Sequence, residues 1–506
     1  MTDLFNPNDL DVHSGHFIDG EISSGGDPQF DVIRPSDLGT QGTLADASAQ
    51  SVERAVHSAR RAFEQSGWAT MAPRERAGIL RRWADLVDRD AALLARLESS
   101  VSCRPYQEVF MRDVRVVSGS LRFFGEYCDK VDGRVTSTPN DTLSLTLSEP
   151  WGVVAGIVPW NFPLILSAWK FAPAMAAGNC VVLKPSELTP YAITHVAQLA
   201  LEAGVPRGVF NILQGHGATA GSALVKSPEV DYITFTGSTA TGAQVMADAA
   251  LHGLKPVSLE LGGKSPQVVF ADAPQLDAAA AIVAAGATYN AGQVCFAGSR
   301  LVIEASIEDM FIEKVVKHMT KFRIGATWSK ETTLPPTIHG QQLERIHQIV
   351  TTTLSEGAEL LCGGQRLEGL NGAHHYAPTL LRGVTPEMTV YREEVFGPVL
   401  AVQTFESFDE AVALADHPTF GLAASVHTTD INKAMSAARQ IQAGTVWIND
   451  WGRRSDFTSP FGGYKQSGHG KDMGLAGFQK YRKQKAVWIL GQQPAPAPSG
   501  EHRLAG

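Results

Sequence analysis

The stretch WGVVAGIVPWNFPLILSAWKFAPAMAAGNCVVLKPSE, residues 151–187, sets the rhythm that decides the fold. GVVAGIV is a short apolar run bounded by glycine and proline, and it reads as a strand buried on both faces. Leu164 to Ala177 has the length and apolarity of a helix, and CVVLK (Cys180 to Lys184) reads as a second buried strand. The alternation continues downstream. Tyr191 to Ala203 reads as a helix, VFNIL (Val209 to Leu213) and DYITF (Asp231 to Phe235) as strands, Ala240 to Leu251 as a helix and PVSLEL (Pro256 to Leu261) as a strand. Strands that alternate with helices build a parallel sheet covered on both faces. The fold class is therefore α/β, and open sheets of this kind take their ligands beyond the carboxyl ends of the strands.

Working outward, residues 47–66 and Pro73 to Leu97 carry apolar positions at helical spacing, with Leu80, Trp83, Leu86 and Val87 on one side. The first third of the chain is therefore expected to be helical. TLSLTLSEP then alternates, placing Leu143, Leu145 and Leu147 on one face of a strand. Residues 273–290 and 305–322 read as helices, and Val399 to Phe405 and Thr445 to Ile448 as strands, so a second α/β unit is expected. The end, GQQPAPAPSGEHRLAG from Gly491, alternates Pro and Ala without periodicity and is expected to be a mobile tail over 491–506.

Composition narrows the function classes. The 506 residues are 44% hydrophobic and 19% charged, which excludes a largely disordered chain. With 52 acidic against 43 basic residues the net charge is −9, so nothing electrostatic invites nucleic acid or an anionic membrane. The five cysteines (Cys103, Cys128, Cys180, Cys295 and Cys362) are widely spaced and form neither a disulfide framework nor a CxxC metal site. No metal is expected. The N-terminus, MTDLFNPNDLDV, has no apolar run of a signal peptide, and a cytoplasmic location is expected.

Several motifs fall at strand ends. GHGATAG (Gly215 to Gly221) misses the GxGxxG spacing by one residue and reads as a glycine-rich turn between strand and helix. FTGSTATG (Phe235 to Gly242) starts a helix at Gly237 and Ser238, where backbone N–H groups could cradle a phosphate or Ser238 could simply cap the helix. KPSE (Lys184 to Glu187) offers a carboxylate able to accept from ribose hydroxyls. Cys295, in NAGQVCFAGSR, is either a nucleophilic thiol or an inert buried cysteine; near pH 7 it would need activation. Glu260, at a strand end before Gly262 and Gly263, suits a general base. Asn161, fixed between Pro159 and Pro163 in PWNFP, suits oxyanion stabilisation.

Taken in order, PWNFP, KPSE, FTGST, LELGGKSP, GQVCFAGSR, EEVFGP and PFGGYKQSG resemble the NAD(P)-dependent aldehyde dehydrogenase superfamily, from FIDGE at Phe17 to about Ile489. The resemblance implies three parts. They are a Rossmann-like cofactor domain (1–123 and 151–262), an α/β catalytic domain (263–466) and a small β oligomerisation arm with a C-terminal strand (124–150 and 467–490). It implies a homodimer or homotetramer joined through that arm.

It also implies a mechanism. Cys295 attacks the aldehyde, Asn161 and the Cys295 N–H hold the oxyanion, and Glu260 activates water against the thioester. Lys170, with Asp472, matches a proton-relay position. NAD, with NADP also allowed, would meet Trp160, Lys184, Glu187, Gly217, Gly237, Ser238, Glu394 and Phe396. The aldehyde would meet Phe162, Trp169, Val294 and Phe461. STATG, VWIND and DFTSPFGGYKQSG look most like members acting on ω-amino, γ-glutamylamino or guanidino aldehydes. Asp456 or Asp450, with Trp451, is the expected seat of a cationic tail. Ala240, Pro335–Pro336 and Lys471–Asp472 depart from the usual pattern without touching the covalent chemistry.

Overall fold

The computed structural model describes residues 3–453 and 456–491; the tail expected over 491–506 lies outside them from 492 onward. The 151–261 alternation builds the larger sheet. We label its strands β1 (His16–Ile18), β2 (Glu21–Ser23), β3 (Val153–Ile157), β4 (Cys180–Lys184), β5 (Phe210–Ile212), β6 (Tyr232–Thr236), β7 (Val257–Glu260) and β8 (Gly468–His469). Their order across the sheet is β2-β1-β5-β4-β3-β6-β7-β8. The five middle strands are parallel, and β1, β2 and β8 run antiparallel to their neighbours. Every residue of β3, β4 and β6 is buried, which explains their mostly apolar sequence.

The chain moves one way from β3 to β5, then returns to the other side of β3 with β6 and β7. That reversal leaves a crevice at the carboxyl ends of β3 and β6. Ile157 pairs with Lys184 on one side and Phe235 on the other, and Thr236 pairs with Glu260. Four motif-bearing loops therefore leave one edge of one sheet at the same level.

The helix Pro163–Ala176 starts on a proline, where no intrahelical N–H is needed, and all of its residues are buried. It packs against the helix Val114–Tyr127. Trp83, fully buried, stacks on Phe171 and donates its indole N–H to the Val196 carbonyl at 2.9 Å, stitching two helices together.

A second sheet of seven strands has Arg300–Glu304 at its centre, followed on one side by Pro266–Val269 and then Ala423–His427, all parallel. Val399–Phe405 and Thr445–Ile448 are strands of this sheet. A third, three-stranded sheet joins Arg482–Leu490, Thr142–Pro150 and Arg134–Thr136. Among the described residues, no helix is long and apolar enough to cross a membrane.

Three expectations need correction. The first third is not all helix: β1, β2 and the pair Gln29–Ile33 and Thr40–Ala45 precede the first long helix. These strands are short and largely polar, so alternation gave no signal. The helix expected over Pro73 to Leu97 is two, Pro73–Arg89 and Ala91–Val101, broken at Asp90 (φ −95°, ψ 16°). The Asp90 carboxylate is held by Arg89 and by His195 at 2.8 Å, in competition with the helix backbone. The arm is also smaller than 124–150 plus 467–490. Residues 124–127 end the Val114–Tyr127 helix, and Gly468 and His469 extend the larger sheet beside β7.

Candidate active site

The aligned strand ends supply the first half of the site. β3 runs into Trp160 and Asn161, β4 into Glu187, β6 into Gly237 and Ser238, and β7 ends on Glu260. Ser238 caps the helix Thr239–Leu251, its Oγ accepting from the Thr241 N–H at 3.2 Å. The cap and a phosphate cradle are compatible, because the remaining N–H groups of the first turn still point out of the helix.

The second half is the Cys295 loop. Asn290, Ala291 and Gly292 take successive positive φ values of 50°, 53° and 71°. For Asn290 and Ala291 this is a strained conformation held by its surroundings. Asn290 donates its side-chain amide to the Asn161 carbonyl at 3.2 Å, and Asn161 donates its own to the Gln293 carbonyl at 3.1 Å. The two amides lock the loop before Cys295 to the loop after β3. From the other side, a Cβ on Gly263 would lie 2.7 Å from the Cys295 carbonyl oxygen, so only glycine lets the turn after β7 come this close.

The electrostatics are set mainly by burial. Desolvation, with smaller effects from Glu394 and Glu260, pushes the Cys295 thiol up to about 12. Both Glu260 carboxylate oxygens are buried with no hydrogen-bond partner among the described residues. Burial first, and the Asp472 charge second, raise its pKa well above the usual range, while Lys170, Lys480 and Lys471 pull the other way. Lys170 donates to Asp472 at 2.7 Å, both fully buried, and Lys480 pairs with the other Asp472 oxygen. Burial favours the protonated Asp472 carboxyl, but the two ammonium groups outweigh it and hold its pKa below the ordinary value. A cleft-side carboxyl that resists ionisation thus sits near one kept ionised.

Two cavities meet at Cys295. A cleft of about 920 Å³ is lined by Trp160, Asn161, Gly237, Ser238, Glu260, Glu394 and Phe396, among others. A narrower, mostly apolar tunnel is lined by Phe162, Trp169, Asp456 and Phe461, again with Cys295. Lys184, Glu187 and Gly217 line neither cavity; they belong to the next strand ends along the sheet. There Lys184 contacts Glu187 at 3.4 Å, and a Cβ on Gly221 would meet the Lys184 side chain. Lys170 also lines neither cavity, being enclosed with Asp472 behind Glu260.

One substrate assignment needs correction. Val294 is buried in the core and lines neither cavity. Asp456 does line the tunnel, but its Oδ1 accepts from the Thr458 N–H, the Thr458 hydroxyl and the Ser459 N–H, and its Oδ2 lies 3.9 Å from Arg453. Oδ1 thus serves its own turn, and Oδ2 shares the tunnel wall with Arg453.

The sequence reading also missed lining residues. Gln342 and Arg345 face the cleft from the helix Gly340–Ser355, where no motif marks them. Arg112, Phe296 and Arg453 line the tunnel; only Phe296, next to Cys295, carried a positional hint.

Comparison with known proteins bears directly on this arrangement. Residues 22–487 match the aldehyde dehydrogenase family. The chain belongs to that family. The NADP/NAD-dependent aldehyde dehydrogenase PuuC of Escherichia coli is 40% identical over 481 residues, covering 95% of this chain and 96% of PuuC. A solved indole-3-acetaldehyde dehydrogenase complexed with NAD+ superposes with a TM-score of 0.93 at 41% identity, covering 96% of this chain and 98% of that one. The γ-glutamyl-γ-aminobutyraldehyde dehydrogenase of Burkholderia cenocepacia gives the same TM-score, identity and coverage. This aldehyde dehydrogenase is thus an NAD(P)-dependent oxidoreductase with the α/β fold of its relatives.

The cleft fits that cofactor on its own chemistry. It offers the open N-terminus of a 13-residue helix for a pyrophosphate. It also offers an aromatic pair, Trp160 and Phe396, with ring centroids 5.4 Å apart, and the Glu394 carboxylate, raised to about 7 chiefly by burial.

Proposed function

We propose that this aldehyde dehydrogenase converts its substrate to a carboxylic acid through a covalent acyl-enzyme on Cys295. The observation that carries the reading is that Cys295 lines both cavities, with Asn161 and Glu260 on the cleft side. An aldehyde in the tunnel would reach the sulfur from one side, and the cofactor from the other. When bound, NAD(P)+ supplies the two-electron hydride acceptor.

The chain's own residues do the rest. The Cys295 thiol gives up its proton to solvent in the cleft as its sulfur forms a C–S bond to the carbonyl carbon, and the carbonyl oxygen becomes an oxyanion. The Asn161 amide carries two N–H groups; one is held by Gln293, leaving the second for that oxyanion, together with the Cys295 N–H. Oxidation of the carbon leaves a thioester. Glu260, when ionised, takes a proton from water as the water attacks it, and the C–S bond breaks to release the carboxylate and the thiol. Lys170 and Asp472 serve as a fixed charge pair behind Glu260 that biases its proton.

For the substrate, the reading is an amino aldehyde, with the γ-glutamylamino form foremost. Its support is the likeness to the γ-glutamyl-γ-aminobutyraldehyde dehydrogenase of Burkholderia cenocepacia. Lys184, Glu187 and Gly217 take the far, adenosine end of the cofactor. Trp488, Leu490 and Val135 leave the three-stranded arm 68%, 69% and 70% exposed, which supports a homodimer or homotetramer built through it. The five cysteines are free, in keeping with a cytoplasmic location. The test is NADH formation, with Cys295→Ala as control, across a panel of amino, alkyl and aromatic aldehydes. Turnover with the γ-glutamylamino aldehyde above the alkyl and aromatic ones supports the reading; turnover restricted to apolar aldehydes retires the substrate class and keeps the chemistry.

A further inference from the structure

The tunnel is apolar except for three charged residues. Among the described lining residues these are Arg112, Arg453 and Asp456, two cations and one anion. The anion is already used. Its Oδ1 closes the turn to Thr458 and Ser459, and its Oδ2 faces Arg453. Arg112 is also engaged, donating to the Tyr289 hydroxyl at 2.7 Å and to the Arg453 carbonyl at 3.4 Å.

Arg453 differs. Its guanidinium lies against two rings of the tunnel wall, 5.5 Å from the Trp169 centroid and 5.4 Å from that of Phe461. Its side chain is only 9% exposed. Its hydrogen bonds among the described residues leave from Nη2, to the carbonyls of Asp456 at 2.5 Å and Ser459 at 3.1 Å. A guanidinium has five N–H donors in a rigid fork. Packed against the Trp169–Phe461 ring pair and tied down by one nitrogen, it keeps a pre-set edge for a planar anion. Little side-chain entropy is left to lose on binding.

The charge argument agrees with the geometry. Burial disfavours the Arg453 cation, and Asp456 at 3.9 Å offsets this only in part. A ligand carboxylate would complete the pairing in a low-dielectric wall, where charge-assisted bonds are strong. A ligand ammonium would instead meet two guanidiniums.

Resting on the acyl-enzyme reading above, we propose that Arg453 is a specificity-determining residue that holds a carboxylate at the far end of the substrate. The tunnel therefore prefers aldehydes with an anionic terminus. Asp456 and Arg112 act as positioning residues, one steadying the guanidinium and the other the backbone that carries it. Among the ω-amino, guanidino and γ-glutamylamino tails, only the last bears a carboxylate, the group of its zwitterionic end that Arg453 would take, so the proposal separates members of the class.

The test is a substrate ratio measured within each protein. A series of ω-carboxyl aldehydes of four to eight carbons is assayed against alkyl aldehydes of equal length and one ω-amino aldehyde. In the wild type, the best carboxylate should exceed its alkyl partner in kcat/KM by about tenfold to a hundredfold, mostly through KM, the worth of a charge-assisted hydrogen bond. Arg453→Met should lower that ratio by at least about tenfold, and Arg453→Lys should retain part of it. Because each ratio is internal, a partly misfolded variant does not mimic the result. A ratio unmoved by Arg453→Met, or a wild-type preference for the ω-amino aldehyde, overturns the proposal while leaving the acyl-enzyme intact. Absence of NADH with every aldehyde overturns the acyl-enzyme reading and this one with it.

Discussion

The two cavities that meet at Cys295 are built in opposite ways. The cleft is made of backbone: strand ends at one level, glycine turns and a helix N-terminus. The tunnel is made of side chains from segments far apart in sequence, with Arg112 touching the carbonyl of Arg453 across 341 residues. A cleft of that kind fixes the chemistry, because the spacing of its parts follows from the sheet. A tunnel of that kind fixes the substrate, and each lining residue can change without disturbing a strand. Four substitutions probe this division, in decreasing order of effect.

Cys295→Ala removes the residue common to both cavities. Aldehyde-dependent NADH formation should fall by at least about 10⁴-fold, as for other nucleophile deletions. Since the cleft is lined mostly by other residues, binding of cofactor by itself should persist in titration calorimetry.

Glu260→Gln should lower steady-state turnover by about 10²–10⁴-fold while preserving a first burst of NADH, because water activation follows carbon oxidation. The pH profile carries the sign. Burial raises the Glu260 pKa, so the carboxyl takes up its proton as pH falls and the base is lost. Wild-type kcat should therefore decline tenfold per pH unit on the acid side, and the Gln variant should lose that slope.

Asn161→Ala should cost about 10²–10³-fold in kcat, the usual effect of losing one oxyanion donor. A change confined to KM would argue that Asn161 only ties the Cys295 loop through Gln293.

Trp169→Leu belongs wholly to the tunnel. It should shift preference among aldehydes by about tenfold at most, with little change in KM for NAD. A large change in cofactor KM would erase the separation between the two cavities.

The same division explains what could be read before the fold was known. Strands such as Cys180–Lys184 and Val399–Phe405 were legible because burial on both faces demands a mostly apolar run. The short N-terminal strands were not, being partly exposed and held in place by partners distant in sequence, as Phe17 is by Ile212. Glu260 and Asn161 were legible because a glycine turn and two prolines announce a fixed backbone at each. Val294, expected from the resemblance to meet the aldehyde, lies in the core just after a turn with three positive φ values, which no sequence pattern announces. Arg453 escaped notice because its role rests on Trp169 and Phe461, which only the folded chain brings to it.

The central claim is the acyl-enzyme on Cys295, and mass spectrometry of the Glu260→Gln variant tests it most directly. The variant is mixed with aldehyde and NAD, quenched in acid and digested. The account predicts one acyl group per chain, on the peptide that contains Cys295, matched by one equivalent of NADH. An adduct on another cysteine, or a full burst of NADH with Cys295 unmodified, would contradict it.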